Sequence, residues 1–384
     1  MTTASLLLGS SIASFGNVDI VNADARLNAP SAAGTRVNSD AESLLRYGLP
    51  ITNKEIRDIQ GSIESVKMNL KTRRVGFAKS DLNTAKDKLI SQKEKVFAAV
   101  PTNHLTAAKE SYNRLLEDIE PLDKAMTSEQ SSGSGSLQER ENLDTAFAAQ
   151  SKLSNELSVF EELMVPDDYK RDVPSEYNGL PRLQGRAEVM MVLKKPDGSQ
   201  YNVDGKLYDK VELKMVIDGY NAPITGGNFV DLVNKGYYNG KKITRADGFV
   251  VQTGDADPEG TVHGYIPPGS TTERTIPVEI ALKGEKELLY GTTSEDEGKG
   301  YAATVLPFQS YGALGMARSE FEPDSASTQF FWLLFESDLT PAGKNLLDGR
   351  YSCFGYTVQN ADLVKGVTEG DVIKEAKVIK GKLE

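Results

Sequence analysis

The spacing of apolar residues changes between Val165 and Pro166, and this change separates two parts of the chain with different expected folds. Before it, apolar residues recur at alternating steps of three and four, whereas after it they often alternate with other residues. The first spacing places apolar side chains on one stripe of a helix, and the second places them on one face of a strand. The 384 residues also exceed one typical domain. We therefore expect a multidomain α + β protein.

Four segments between residues 54 and 165 carry helical stripes. Stripes of this kind can bury one another, so the sequence predicts an up-and-down helical bundle over residues 41–165. Pairing of two chains in a coiled coil is the alternative, but short segments with turns between them favour the bundle. The first stripe comprises Ile56, Ile59, Ile63, Val66 and Leu70.

Two local features predict breaks within this bundle. We expect Pro121 to end or bend the third helix, because proline lacks the N–H that a helix interior uses. The Ser- and Gly-rich residues 131–136 predict a flexible loop before the fourth helix.

The segments on either side of the predicted bundle have the composition of extended chain. Residues 4–15 are apolar and small, and an Ala-Asp-Ala pattern ends at Ala25, which is typical of the second half of a secretory or lumenal targeting peptide. No basic residue precedes this run, so a plain disordered tail is the alternative. Residues 1–40 are therefore interpreted as a targeting remnant or disordered lead-in. Residues 166–186 contain three prolines and several charges, and they predict a linker.

Composition excludes several classes of function. The formal net charge of −11 disfavours nucleic acid as a partner. No apolar run approaches the roughly 20 residues of a membrane span, so we expect any membrane association to be peripheral. Cys353 is the only cysteine, and the two histidines have no ligand-like spacing. We expect neither a metal nor another cofactor.

Short β-type segments separated by Gly-rich turns continue from Ala187 to the C-terminus. This pattern fits a closed barrel over residues 187–384 with one or two helices over its ends. We expect one such helix to be capped by Thr225 and to bury Phe229, Leu232 and Val233.

Three separated motifs in this half resemble the cyclophilin family of peptidyl-prolyl isomerases. Arg245 precedes the segment 248–255 (Gly-Phe-Val-Val-Gln-Thr-Gly-Asp), residues 329–331 read Gln-Phe-Phe, and residues 347–355 begin Leu-Asp-Gly and end Phe-Gly. The segments 221–229 and 314–317 add to the resemblance. It implies an eight-stranded antiparallel β-barrel with a substrate groove on its outside.

The resemblance also implies a role for individual residues. It implies that Arg245 is the catalytic arginine, whose guanidinium forms a hydrogen bond with the prolyl nitrogen. Phe249 and Phe331 are implied to line the proline pocket, and Gln252 to orient the substrate backbone. The other implied groove positions are Ala317, Gln329, Leu346, Leu347 and Tyr351.

The chain departs from the family pattern at four places. The Arg245–Gly248 spacing is one residue shorter than usual, Leu346 replaces a tryptophan, Tyr351 replaces a histidine, and Arg318 replaces an asparagine. Two interpretations follow. One is an isomerase that acts on proline-containing segments of unfolded or partly assembled proteins. The other is a binding module of weak or no turnover that its helical bundle regulates.

The N-terminal part adds a narrower resemblance. The segment 44–51 (Leu-Leu-Arg-Tyr-Gly-Leu-Pro-Ile), followed by Asn53, Lys54 and the predicted bundle, resembles a multidomain cyclophilin of the thylakoid lumen. Its bundle is similar to the extrinsic Q subunit of photosystem II. The resemblance covers residues 41–384, and it implies a chloroplast thylakoid-lumen location and an assembly and maintenance role with photosystem II subunits as partners.

The acidic loop over residues 283–301 allows three interpretations: a cover over the groove, a contact with the bundle, or a solvated excursion.

Overall fold

The computed structural model describes residues 38–131, 135–257, 263–334 and 345–384. Its N-terminal part is helical, and an antiparallel β-barrel follows, so the predicted fold class is confirmed. The predicted lead-in lies outside the described residues except for residues 38–40, and so does part of the loop 131–136. The helices of the N-terminal part are α1 (Ala41–Gly48), α2 (Lys54–Lys71), α3 (Val75–Ser91), α4 (Lys93–Phe97), α5 (Leu105–Gln130) and α6 (Leu137–Glu162).

The helical stripes form the core of the bundle. All five residues of the first stripe are fully buried, as the spacing predicts. The rings of Phe97, Tyr112 and Phe160 pack against one another with centroids 5.1–5.9 Å apart. The helices α2 and α6 begin at side-chain caps, since Asn53 accepts a hydrogen bond from the backbone N–H of Ile56, and Ser136 accepts one from that of Glu139.

Pro121 does not end the third long helix, so that part of the expectation is wrong. α5 continues through Pro121 to Gln130. Leu122 and Met126, which follow the proline, are fully buried in the bundle core. This burial stabilises the helix despite the missing N–H.

The second part of the chain is an eight-stranded antiparallel sheet in the order β12-β1-β4-β11-β9-β10-β6-β5. The first residues of β5 lie beside the start of β12, where Ile243 N–H donates to Asp371 O at 2.8 Å and Ile373 N–H donates to Lys241 O at 2.9 Å. These bonds close the barrel. Its strands are β1 (Leu183–Lys194), β4 (Val211–Asp218), β5 (Ile243–Ala246), β6 (Val250–Thr253), β9 (Ala313–Met316), β10 (Phe330–Leu333), β11 (Cys353–Gln359) and β12 (Val372–Leu383).

Two short hairpins lie outside this sheet. They are formed by β2 (Tyr201–Val203) with β3 (Lys206–Tyr208), and by β7 (Glu279–Ile280) with β8 (Leu289–Tyr290).

β1 begins within the predicted linker 166–186, and the division of the chain into 41–165, 166–186 and 187–384 stays a prediction.

The helix α7 (Pro223–Asn234) packs against β1 and β12. Phe229, Leu232 and Val233 are buried as expected. Thr225 is not the cap, because α7 begins at Pro223 and Thr225 lies in its first turn. The buried carboxylate of Glu279 instead accepts hydrogen bonds from the backbone N–H groups of Ile224 (3.1 Å) and Thr225 (2.8 Å).

The helix α1 connects the bundle to the barrel. It packs against β11, and Leu44 and Leu45 belong to an apolar cluster that also contains barrel residues. Arg186 of β1 donates to the carbonyl of Leu45 at 2.5 Å and forms an ion pair with the fully buried Asp218 at 2.8 Å. The side chain of Asn221 donates to the carbonyl of Gly48 at 2.7 Å. Polar and apolar contacts therefore both fix α1 on the barrel.

Among the described helices, none is both long and apolar enough to cross a bilayer.

Candidate active site

A row of register partners crosses five strands of the barrel. Arg245 lies opposite Gln252, Gln252 opposite Phe331, Phe331 opposite Gly315, and Gly315 opposite Cys353. Directly opposed residues of antiparallel strands point to the same face of a sheet. Arg245 and Phe331 are separated by two strand spacings, or about 10 Å between backbones. The sheet therefore brings together three of the predicted site residues on one face.

This row of register partners lies on the outer face of the barrel and is called the outer row. Trp332 and Leu314, which are register partners in the neighbouring row, belong to the interior core and are fully buried. Phe331 belongs instead to the apolar cluster that also contains Leu44 and Leu45 of α1. The alternation of strand side chains thus separates a structural row from a candidate substrate row.

Phe331 forms the apolar centre of the site. Its ring is only 5% exposed and stacks on Phe308 at a centroid distance of 5.9 Å, with Tyr351 edge-on at 6.1 Å. A Cβ at Gly315 would lie 2.1 Å from its Cζ atom, so the absence of a side chain at Gly315 makes room for the ring. Ala317 and Leu347 pack against the same cluster. Phe308 and Gly315 were not predicted as site residues; an aromatic residue in an irregular loop gives no periodic signal.

The amide of Gln252 is held by a polar chain. Its Nε2 donates to Gln329 Oε1 at 2.8 Å, and Gln329 Nε2 donates to Asp255 Oδ2 at 3.3 Å. The ring Nδ1 of His263 lies 3.0 Å from Asp255 Oδ1, and this hydrogen bond raises the pKa of His263. The structure thus joins two predicted groove residues, Gln252 and Gln329, and adds Asp255, which was not predicted as a site residue.

Arg245 has a carboxylate partner two residues along the chain. Its side chain is 54% exposed, and its Nε donates to Asp247 Oδ2 at 2.6 Å. Asp247 Oδ1 accepts hydrogen bonds from the backbone N–H groups of Phe249 and Val250, both at 3.0 Å. Burial alone would raise the pKa of Asp247, but the hydrogen bonds from Val250, Arg245 and Phe249 together lower it. Asp247 was not predicted as a site residue.

The remaining predicted residues lie at the edges of the site. Phe249 is 60% exposed just before β6, and Leu346 is 80% exposed. The guanidinium of Arg318 lies 5.0 Å from the centroid of the Tyr351 ring. Phe249 and Leu346 are therefore not buried against Phe331, whereas the ring of Tyr351 packs against it.

The acidic loop contacts the segment that follows Leu346. Ser294 N–H donates to Gly349 O at 2.8 Å, and Glu295 forms an ion pair with Arg350 at 2.9 Å. Asp348 Oδ1 accepts from the backbone N–H of Phe308 at 2.7 Å. The contacts of Ser294 and Glu295 place the loop against one rim of the site.

The chemistry of this arrangement is noncovalent. It offers a guanidinium, an amide and an apolar surface. Within the described ranges, no three His, Cys, Asp or Glu side chains are grouped as metal ligands would be.

Two known protein families match separate parts of the chain. The family described as cyclophilin type peptidyl-prolyl cis-trans isomerase/CLD matches residues 203–382. The family described as peptidyl-prolyl cis-trans isomerase CYP38-like, PsbQ-like domain, matches residues 40–165.

Three relatives match nearly the whole chain. Peptidyl-prolyl cis-trans isomerase CYP38, chloroplastic, of Arabidopsis thaliana is 40% identical over 89% of this chain and 74% of its own length. A protein of Synechocystis sp., named as a candidate thylakoid lumen peptidyl-prolyl cis-trans isomerase, is 36% identical over 92% of this chain and 87% of its own. Peptidyl-prolyl cis-trans isomerase CYP37, chloroplastic, of A. thaliana is 31% identical over 90% and 71%.

The barrel and its family match define a domain of the cyclophilin class. With the helical part included, the chain belongs to the family of cyclophilin-type peptidyl-prolyl cis-trans isomerases that carry an N-terminal PsbQ-like domain.

Proposed function

We propose that this protein binds proline-containing protein segments on the outer row of the barrel and catalyses their cis–trans isomerisation. The observation that carries the proposal is the register of Arg245, Gln252 and Phe331 across three adjacent strands. A guanidinium, an amide and an apolar surface are then available on one face of the barrel.

The proposed mechanism needs no proton transfer, nucleophile or metal. Rotation about the X–Pro bond is slow because of its partial double-bond character, with a barrier of about 18–20 kcal/mol. Phe331 contacts the proline ring, and Gln252 orients a flanking carbonyl. Arg245 donates a hydrogen bond to the prolyl nitrogen when that nitrogen becomes pyramidal, which favours the transition state over the planar ground state. Phe249, Ala317, Gln329, Leu346, Leu347 and Tyr351 complete the proposed groove.

A proline-isomerisation assay on the full chain tests this proposal. We expect acceleration with a blocked Ala-Pro peptide, and we expect Arg245→Ala to lower kcat/KM by about 10²- to 10³-fold, as loss of one transition-state donor does elsewhere. Arg114→Ala is the matched control, because Arg114 is also about half exposed and ion-paired but lies in α5. Equal loss in both variants, or no loss in Arg245→Ala, contradicts the role of Arg245.

The proposed place of action is the chloroplast thylakoid lumen, and the proposed role is folding, assembly and maintenance of photosystem II. The names of the relatives in Arabidopsis and Synechocystis support the location. The match of residues 40–165 to a PsbQ-like domain supports photosystem II subunits as partners. Co-purification of photosystem II subunits with the full chain, lost when the outer row is changed, is the expected result.

A second candidate function is binding without efficient turnover, regulated by the bundle. It is favoured by the position of α1, because Leu44 and Leu45 belong to the same apolar cluster as Phe331. If α1 restrains the site, Leu45→Ala raises the affinity for a proline peptide. Leu89→Ala, which removes a buried leucine from the bundle core, is the control and leaves affinity unchanged. Unchanged affinity in both variants removes the regulatory role of α1.

A further inference from the structure

The turn between β5 and β6 is built around Asp247. Residues 247–249 connect the two strands, and Gly248 adopts a φ of +84°. Asp247 Oδ1 accepts from the backbone N–H groups of Phe249 and Val250, and its own N–H donates to Val250 O at 3.3 Å. These bonds fix the direction of the carboxylate, since one of its oxygens accepts hydrogen bonds from backbone N–H groups within the turn.

The second oxygen of Asp247 faces Arg245. Oδ2 accepts from Nε at 2.6 Å and also contacts Nη2. Within the described residues, Arg245 makes its side-chain hydrogen bonds with Asp247 alone. Two of its three guanidinium nitrogens therefore converge on one anionic oxygen that the turn holds in place.

This pairing opposes the role that Arg245 has in the proposed reaction. A guanidinium paired with a carboxylate presents less positive charge to a prolyl nitrogen, and two of its nitrogens are already engaged as donors. Reaching a proline on Phe331, about two strand spacings away, requires the side chain to leave Asp247. The carboxylate of Asp247 is ionised at neutral pH, because its pKa is lowered further from an ordinary value that is already far below 7.

We infer that Asp247 is a positioning residue that limits turnover, because it holds Arg245 in the turn and releases it only when substrate binds. The inference rests on the proposed function of Arg245. Ion pairs with exposed partners are weak. The expected effect of Asp247 on the rate is therefore about two- to tenfold.

The test is Asp247→Asn in the full chain, assayed with a blocked, uncharged Ala-Pro peptide. Asparagine keeps an oxygen for the backbone N–H groups of Phe249 and Val250, but it removes the negative charge beside Arg245. We expect kcat/KM to rise about two- to tenfold, mainly in kcat, and we expect Arg245→Ala in the same chain to abolish the gain.

Salt dependence gives a second readout that needs no substitution. Screening weakens an exposed ion pair, so the wild-type rate should rise between 0.05 M and 0.5 M salt, at about 14 and 4 Å Debye length, while Asp247→Asn stays flat. The control is Glu212→Gln, which removes an ion pair of similar exposure that is also two residues apart, with Lys210 at 2.8 Å. It should leave both the rate and its salt dependence unchanged.

The possible outcomes separate this inference from the proposed function. An unchanged or slower Asp247→Asn, with activity still lost in Arg245→Ala, overturns the inference and leaves the proposed function intact. Full activity in Arg245→Ala overturns both. If Asp247→Asn fails to fold, a wild-type rate that rises with salt supports the inference, and a flat or falling rate overturns it.

Discussion

The ring of Phe331 occupies the space that a side chain at Gly315 would fill. These two residues are register partners on β10 and β9, and a Cβ at Gly315 would lie 2.1 Å from Phe331 Cζ. The position of the ring in the site therefore depends on a glycine in the neighbouring strand. Phe308 and Tyr351 contact the ring from other directions.

Gly315→Ala tests this dependence. The added methyl group must displace the Phe331 ring, and overpacking of this kind costs about 1–3 kcal/mol. We expect the free energy of unfolding to fall by that amount in chemical denaturation, together with a loss of isomerisation. Gly61→Ala is the control: a Cβ there meets no atom within 4 Å, and alanine should stabilise α2 by about 0.5–1 kcal/mol. Retained stability and activity in Gly315→Ala contradict the account.

Arg186→Met tests how α1 is held on the barrel. Arg186 is the ion-pair partner of the fully buried Asp218, and its loss leaves that carboxylate without its cation. Breaking a buried pair in this way costs about 3–5 kcal/mol. We expect lower stability and faster amide hydrogen exchange in α1, whose Leu45 carbonyl accepts from Arg186.

The double variant with Asp218→Asn is the matched control for this change. It removes the buried charge as well as its partner, so it should recover part of the lost stability. Purely additive losses would show that the pair is not coupled.

The free energy of unfolding should fall as pH rises through neutrality, and we expect the titration of Glu161 to be the cause. Burial raises the pKa of Glu161 to about 7, although Arg57 and Arg46 favour its ionised form. Arg57 Nη1 lies 3.9 Å from its carboxylate, and Glu64 and Arg186 also act on it. The pKa of Glu161 is higher in the folded state than in the unfolded state. Its protonated form therefore contributes to the free energy of unfolding fully below pH 4.5, and this contribution is lost as pH rises through about 7.

Thermal unfolding between pH 5.5 and 8.5 measures this effect. We expect Tm to decrease with pH, with a change in unfolding free energy on the order of 1–3 kcal/mol. Glu161→Gln should flatten the profile in that window. An identical pH slope in Glu161→Gln assigns the effect to another group.

Features with a periodic signal were predictable from the sequence. The stripe from Ile56 to Leu70 predicts a buried helix face, and α2 has one. The motifs around Gln252 and Phe331 imply by resemblance that both side chains line one groove, and in the structure the two residues are register partners on adjacent strands.

Features that depend on distant partners were not predictable in this way. The carboxylate of Glu279, which is far from Thr225 in sequence, accepts the hydrogen bonds from the backbone N–H groups at the start of α7. Pro121 remains within α5 because of tertiary burial, which local propensity does not include.

Asp247 forms a local pair with Arg245, yet the sequence does not show that its carboxylate faces the guanidinium rather than solvent.

The most direct test of the central claim is a nuclear Overhauser measurement between the bound proline ring of a blocked Ala-Pro peptide and the phenylalanine rings of the full chain. The account predicts contacts from the ring protons of Phe331 to the proline Cγ and Cδ protons, and it predicts their loss in Gly315→Ala. Contacts from a phenylalanine exposed elsewhere, such as Phe77 or Phe321, without any from Phe331, would contradict it.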